Sequence, residues 1–295
     1  MMLTEIELKN LVASLSLEEK VGQMIQLNES FVDGSQEQLT GPVEAMQIDR
    51  TIPSLIGSVL GMADAQKIQE VQTKYIEQSR HKIPLLFMAD VIHGYRTILP
   101  IPLAQACSFD PDLVEKGARM SATESIAGGQ TVHFSPMCDL TRDPRWGRVI
   151  ESTGEDHWLN GLYASAITRG YQKNDLKRKD SVASCVKHFA AYGAVEGGRD
   201  YNTVDMSERT LREFYLPSYK KAIDTGCAMV MTAFVTIDGI PSTANKWLLR
   251  DLLRGEWGFE GVVISDWNAI FELIAHGVAA DAREAAKLAI EAGVD

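Results

Sequence analysis

The sequence predicts an α/β fold of the TIM-barrel type, (β/α)8-like, irregular or incomplete towards its C-terminal end. Three observations carry this reading. Continuous apolar runs, as expected of strands buried on both faces, alternate with segments of helical period. Run after run ends in a charged or polar residue, and strand C-termini in such a barrel share the face that carries the site. The 295 residues are enough for one barrel domain of about 250 residues.

The strand-like runs are residues 56–60, 84–90, 131–137, 182–189, 228–234 and 261–267. The polar residues that end them are Asp90 with His93, Asp139 with Arg142, Lys187 with His188, and Asp266. Between them Ile68, Val71 and Tyr75 recur at helical spacing, and so do Leu211, Tyr215 and Ala222, the latter after a plausible capping box at Asp205 and Glu208. The last helix carries Ala282, Ala285, Ala286 and Ala289 on one side and stops at Gly293. Six runs fall short of the eight strands of a closed barrel, and the sequence ends where another strand is expected. No G-x-G-x-x-G turn or phosphate loop supports an open nucleotide-binding sheet.

Apolar residues make up 45% and charged residues 23%, an ordinary globular balance. The net charge of -11 argues against a nucleic-acid partner and suits a neutral or cationic small substrate. Cys107, Cys138, Cys185 and Cys227 are far apart and read as small buried residues in a reducing compartment. No apolar leader opens the sequence and no run could span a membrane, so a cytoplasmic address is expected. The charge run 173–180 reads as a solvated connection.

In GVVISDW, residues 261–267, a buried-looking strand ends on Asp266 beside the indole of Trp267. A carboxylate there must be solvated, paired or used. A nucleophile, a base, a metal ligand and a cap for the helix read at 268–277 all remain open. Lys187 and His188 are neighbours on one run, so they meet one substrate only where the strand kinks. Lys187 could also form a Schiff base. In DPRWGR, residues 143–148, one arginine is expected to fix the loop and the other to hold hydroxyls. Asp90 could accept hydrogen bonds from adjacent hydroxyls, which suits a sugar. The histidines show no metal-ligand spacing.

The stretches ADVIHGYRT, DPRWGR, VKHFAAYGAVEGGRDYNTVDMSERTLRE, WLLRDLLRGEWGFEGVVISDW and AIEAGVD together resemble the N-terminal barrel domain of glycoside hydrolase family 3, especially its bacterial β-glucosidases. The resemblance covers most of the chain from about residue 83, in the family's order. It implies a retaining β-glucosidase with Asp266 as nucleophile and a covalent glycosyl-enzyme. It also implies that Asp90 grips hydroxyls far from the anomeric centre, that Arg96, Arg148, Lys187, His188 and Arg199 are further donors, and that Met231 and Trp267 are walls of the sugar site.

Two departures matter. Phe234 stands where many members carry a tyrosine. KHFAAYG lacks the histidine of members that cleave N-acetylglucosamine. The resemblance therefore implies that residues 1–295 form the nucleophile-bearing domain and that the acid/base glutamate lies in a second, α/β-sandwich domain after residue 295, a role for which neither Glu151 nor Glu196 is taken. No cofactor or metal is expected. The expected partner is a small carbohydrate, with no nucleic acid or membrane, and a homodimer is left open. A β-xylosidase and a Schiff-base lyase built on Lys187 are the competing functions.

Overall fold

A computed structural model describes residues 3–32, 48–49 and 51–295. The chain divides into two compact units, Met1–Ala89 with Ile126–Val132, and Asp90–Ser125 with His133–Asp295.

The first unit opens with two short helices, Glu5–Ser14 and Leu17–Gln23. Each begins at a reciprocal cap, Thr4 with Glu7 and Ser16 with Glu19, which satisfies backbone donors the first turn leaves unpaired. Three parallel strands follow: β1 (Gln26–Asn28), β2 (Ser58–Leu60) and β3 (Leu86–Ala89), with Leu27 beside Val59 and Val59 beside Phe87. Their shared core includes Ile56, Val59, Leu85 and Phe87. The predicted helix is Ala65–Gln78. It is capped by Asp64, buries Ile68 and anchors Tyr75, whose hydroxyl donates to the Ile56 carbonyl at 2.6 Å. β1 was not among the expected strands. It is three residues long with only its middle residue buried, too brief to show a period.

The run 131–137 shortens to β4 (Val132–His133), after which Met137 makes a single parallel bridge to Lys187. The second unit is built on β5 (Ala183–Phe189), β6 (Met229–Thr232) and β7 (Val262–Ile264), parallel and in the order β5–β6–β7. β5 and β6 are buried along almost their whole length, which is why their runs are mainly apolar. The β5–β6 register shifts between Val186 and Phe189. Helix His157–Gln172 covers them, capped by Asp156, and packs on helix Pro217–Asp224: Gly161 approaches Lys221, and the Ser165 hydroxyl donates to the Lys221 carbonyl.

The expected helix around Leu211 is not one uniform element. It starts at Ser207, whose side chain accepts from the Thr210 N–H, so Ser207 and not Asp205 is the cap. It then widens to a π-turn over Leu211–Tyr215 and restarts at Pro217, which has no N–H to continue the ladder. The last helix, Ala282–Ala292, is capped by Asp281 and ends at Gly293 with φ 115°, as expected. The segment 173–180 is a connection whose charges pair among themselves, Lys173 and Arg178 with Asp180. Cys138, Cys185 and Cys227 are buried, but Cys107 is exposed. It ends the short helix Pro102–Ala106 and faces no core.

Candidate active site

The second unit gathers the polar ends of its strands. β7 stops at Ile264, so Asp266 sits two residues past the strand with its side chain 14% exposed. Asp266 caps no regular helix: the next helix, Glu272–Ala275, begins after Phe271, and the Asp266 carboxylate accepts instead from the N–H of Trp267. A short helix six residues on is too far away to need it, so capping does not account for this carboxylate.

β5 supplies two neighbouring residues to the same site. Strict alternation would send them to opposite faces, but the register break between Val186 and Phe189 lifts that constraint. Lys187, almost fully buried, is ion-paired with Asp90. His188, wholly buried, places Nε2 3.3 Å from Asp266 Oδ2 and 3.2 Å from Arg148 Nη2. Its Nδ1 lies 2.7 Å from Asp139 Oδ2, and its backbone N–H donates to the same oxygen at 3.0 Å. The Tyr219 hydroxyl lies 2.7 Å from both Asp139 Oδ1 and the His188 carbonyl.

The two arginines of DPRWGR differ in burial and in partner. Arg145 is exposed and clamps Asp143 within its own loop. Arg148 is mostly buried. It grips Glu151 with two nitrogens, at 2.7 and 2.9 Å, and lies over the Tyr192 ring. Trp146 between them is buried and donates its indole N–H to Asp200 at 2.9 Å.

Burial, reinforced by the Lys187 charge, pushes His188 down to about 3, so the ring is neutral at ordinary pH. Burial pushes Asp139 up to about 6, against the opposing pull of its Tyr219 and His188 donors. Glu272 is raised to about 7, first by desolvation and then by the charge of Asp266.

Aromatic rings frame this centre. Tyr192 meets His188, Trp146 and Phe234 edge to face. Tyr201 lies tilted on Phe234 at 4.4 Å. Trp267, 41% exposed, and Met231, buried in β6 beside Ile264, are the remaining apolar members.

The geometry thus brings together Asp90, Lys187, His188, Arg148 and Asp266. It does not bring in every residue the strand ends suggested. His93 turns its Nδ1 to the Leu99 carbonyl, and Arg142 lies over the Phe214 and Tyr215 rings. Arg96 is exposed and anchored through its backbone N–H to Glu124, and Arg199 is exposed on the 196–198 turn. Three residues the sequence reading passed over belong here. Tyr219 and Glu272 lay in helical stretches that gave no hint of their partners, whereas Tyr192 stood in the quoted KHFAAYG. Among the described residues no cluster of three or more metal-ligating side chains occurs.

A model of the "Glycosyl hydrolase family 3 N terminal domain" matches residues 16–295. The chain belongs to this family. A periplasmic β-glucosidase of Salmonella typhimurium is 42% identical over 97% of the chain and 36% of its own length. A β-xylosidase of Formosa agariphila is 35% identical over 84% of the chain and 36% of its own. Among solved structures, a β-glucosidase from Listeria innocua in complex with glucose superposes with a TM-score of 0.94 at 49% identity, covering 99% of this chain and 41% of that one. The family 3 domain accordingly has the expected α/β, TIM-type barrel fold, irregular where β4 has two residues and β5 breaks register. It spans about two-fifths of the relatives it matches.

The cytoplasmic address expected from the sequence is corrected by the Salmonella relative, which is periplasmic. That expectation rested on the lack of an apolar leader and on scattered cysteines, and neither property reports a compartment for a family 3 domain.

Proposed function

We propose that this domain carries the nucleophile and the sugar-binding pocket of a retaining β-glucosidase. The observation that carries the reading is the Asp266 carboxylate. It stands two residues past β7, mostly buried, uncommitted to any helix, and faces the His188 ring, which in turn meets Arg148. Asp266 attacks the anomeric carbon, the glycosidic oxygen leaves with a proton from a general acid, and a glycosyl-enzyme ester forms. Water then attacks the same carbon and regenerates the carboxylate.

Asp90 accepts from hydroxyls remote from the anomeric centre, and Lys187 and Arg148 donate beside it. His188, Met231 and Trp267 complete the pocket, and the exposed Arg96 and Arg199 are assigned as further donors by the resemblance alone. Glu151 is committed to Arg148, which disfavours it as the acid. The acid/base carboxylate is assigned to a second domain outside these residues, and residues 1–295 to the nucleophile domain.

The Schiff-base alternative is disfavoured because Lys187 is ion-paired with Asp90. That contact engages the Lys187 nitrogen with a carboxylate, whereas imine formation needs the nitrogen free to attack a carbonyl. The β-xylosidase reading is favoured by the Formosa relative. Assay of residues 1–295 and of a longer polypeptide on aryl β-glucoside and aryl β-xyloside tests these assignments. Turnover only by the longer chain, with glucoside preferred, is expected. Equal turnover by both chains would place the acid within these residues, and preference for the xyloside would replace glucose.

A further inference from the structure

Asp139 is wholly buried beneath the site, and its carboxylate oxygens are committed to internal donors. It lies two residues past the third predicted strand run, 131–137, among the charges that the run ends place together. Its contacts show a narrower task.

The proton on His188 is fixed from two directions. An ionised carboxylate only accepts hydrogen bonds, so Asp139 Oδ2 at 2.7 Å requires the proton on Nδ1. A guanidinium only donates, so Arg148 Nη2 at 3.2 Å requires a lone pair on Nε2. Both demands select the same neutral tautomer. That form has no proton to give Asp266, whose Oδ2 is 3.3 Å from the same Nε2. The opposite tautomer would bring a proton to within reach of Asp266, drawing charge from the attacking oxygen, and would turn an N–H against Arg148. The His188 backbone N–H also donates to Oδ2, so the aspartate cannot rotate away without leaving that buried donor unpaired.

We propose that Asp139 is a positioning residue that locks His188 with its proton on Nδ1, keeping Nε2 an acceptor for Arg148 and leaving Asp266 free to attack. The inference rests on the reading of Asp266 as the nucleophile. His188 binds in its acceptor form at Nε2, which differs from the donor role implied by resemblance. The low proton affinity of His188, set by burial and by Lys187, agrees with a ring that stays neutral. The charged or titratable groups around it are Asp139, Lys187, Arg148, Glu151 and Asp266, with Tyr192 and Tyr219 packed against it.

The test uses the polypeptide that carries both domains. Ring-nitrogen NMR of 15N-histidine enzyme at pH 7, with the His188 signal assigned by its loss in His188→Gln, is expected to show the proton on Nδ1. A proton on Nε2, or on both nitrogens, overturns the proposal, and this needs no folded Asp139 variant. Asp139→Asn is nearly isosteric, and Tyr219 can still donate to the His188 carbonyl. It is expected to lower kcat/KM by about ten-fold or more and to mix the two tautomers. Added to His188→Gln, it is expected to cost no more than about three-fold further, because its effect passes through His188. Losses that multiply would overturn the proposal. Asp266→Ala separates the two readings: an active Asp266→Ala enzyme would remove the nucleophile assignment while leaving the tautomer result standing.

Discussion

Lys187 and Asp90 form an ion pair in which the cation is buried and the anion is not: the side chains are 4% and 54% exposed. The lysine is held from inside while the aspartate keeps a solvent-facing side. Asp90→Asn removes a charge-assisted contact of about 1.5–3 kcal/mol. On the proposed role of Asp90 in the pocket, kcat/KM is expected to fall by about ten-fold to a hundred-fold, while the melting temperature moves by a few degrees at most. Kinetics and thermal melts on one preparation check this. A large fall in stability with unchanged kinetics would make the pair purely structural.

His133 is buried outside the pocket, its Nε2 2.8 Å from Ser125 Oγ and its ring edge to face with Tyr171. Burial lowers it to about 3 from an unfolded value near 6.5. The folded state therefore binds fewer protons between those values. The stability it contributes is present above pH 6.5 and lost as pH falls towards 3. His133→Asn should flatten that decline by up to about 1.4 kcal/mol per pH unit. Denaturant unfolding at several pH values in this window reads the slope, and an unchanged slope contradicts a neutral buried imidazole.

Glu272 and Asp266 repel one another, but desolvation is the larger cause of the raised Glu272 value. Removing the neighbouring charge with Asp266→Asn favours ionisation of Glu272. Its pKa should fall from about 7 yet stay above the ordinary glutamate range. Carbon-detected titration of the side-chain carboxyl measures this. A rise, or a fall to the ordinary value, would mean that the two causes are wrongly weighted.

Gly193 lies one residue after Tyr192, where an added Cβ would sit 2.4 Å from the Leu140 carbonyl oxygen and 3.1 Å from Thr141 Oγ1. Backbone cannot yield there without shifting the segment that carries Asp139. Gly193→Ala should cost about 1–3 kcal/mol of stability and lower activity with it. Gly147, in the arginine loop, has open space where its Cβ would be. Gly147→Ala should change stability by less than about 0.5 kcal/mol. Chemical denaturation of the pair checks the contrast.

The strands most legible in the sequence were those buried on both faces, because β5 and β6 present mainly apolar runs. β1 escaped because a three-residue strand with one buried position carries no period. The cap at Ser207 was displaced to Asp205 because both positions offer a suitable oxygen and only backbone geometry separates them. Asp266, Asp90 and Lys187 were readable because each closes an apolar run. Tyr219 was not: its partner Asp139 is 80 positions away, and a tyrosine on a helix face gives no sign of what its hydroxyl will meet. Cys107 was misread because small apolar character says nothing about a helix end that turns outward.

The proposed function requires Asp266 to form a covalent bond to the sugar. Treatment of the two-domain polypeptide with a 2-deoxy-2-fluoro-β-glucoside bearing a good leaving group should trap the glycosyl-enzyme. Mass spectrometry of the digested protein is expected to place the fluorosugar on Asp266 within the GVVISDW peptide, one label per chain. A label on another carboxylate, or full inactivation with no label in that peptide, would contradict the account.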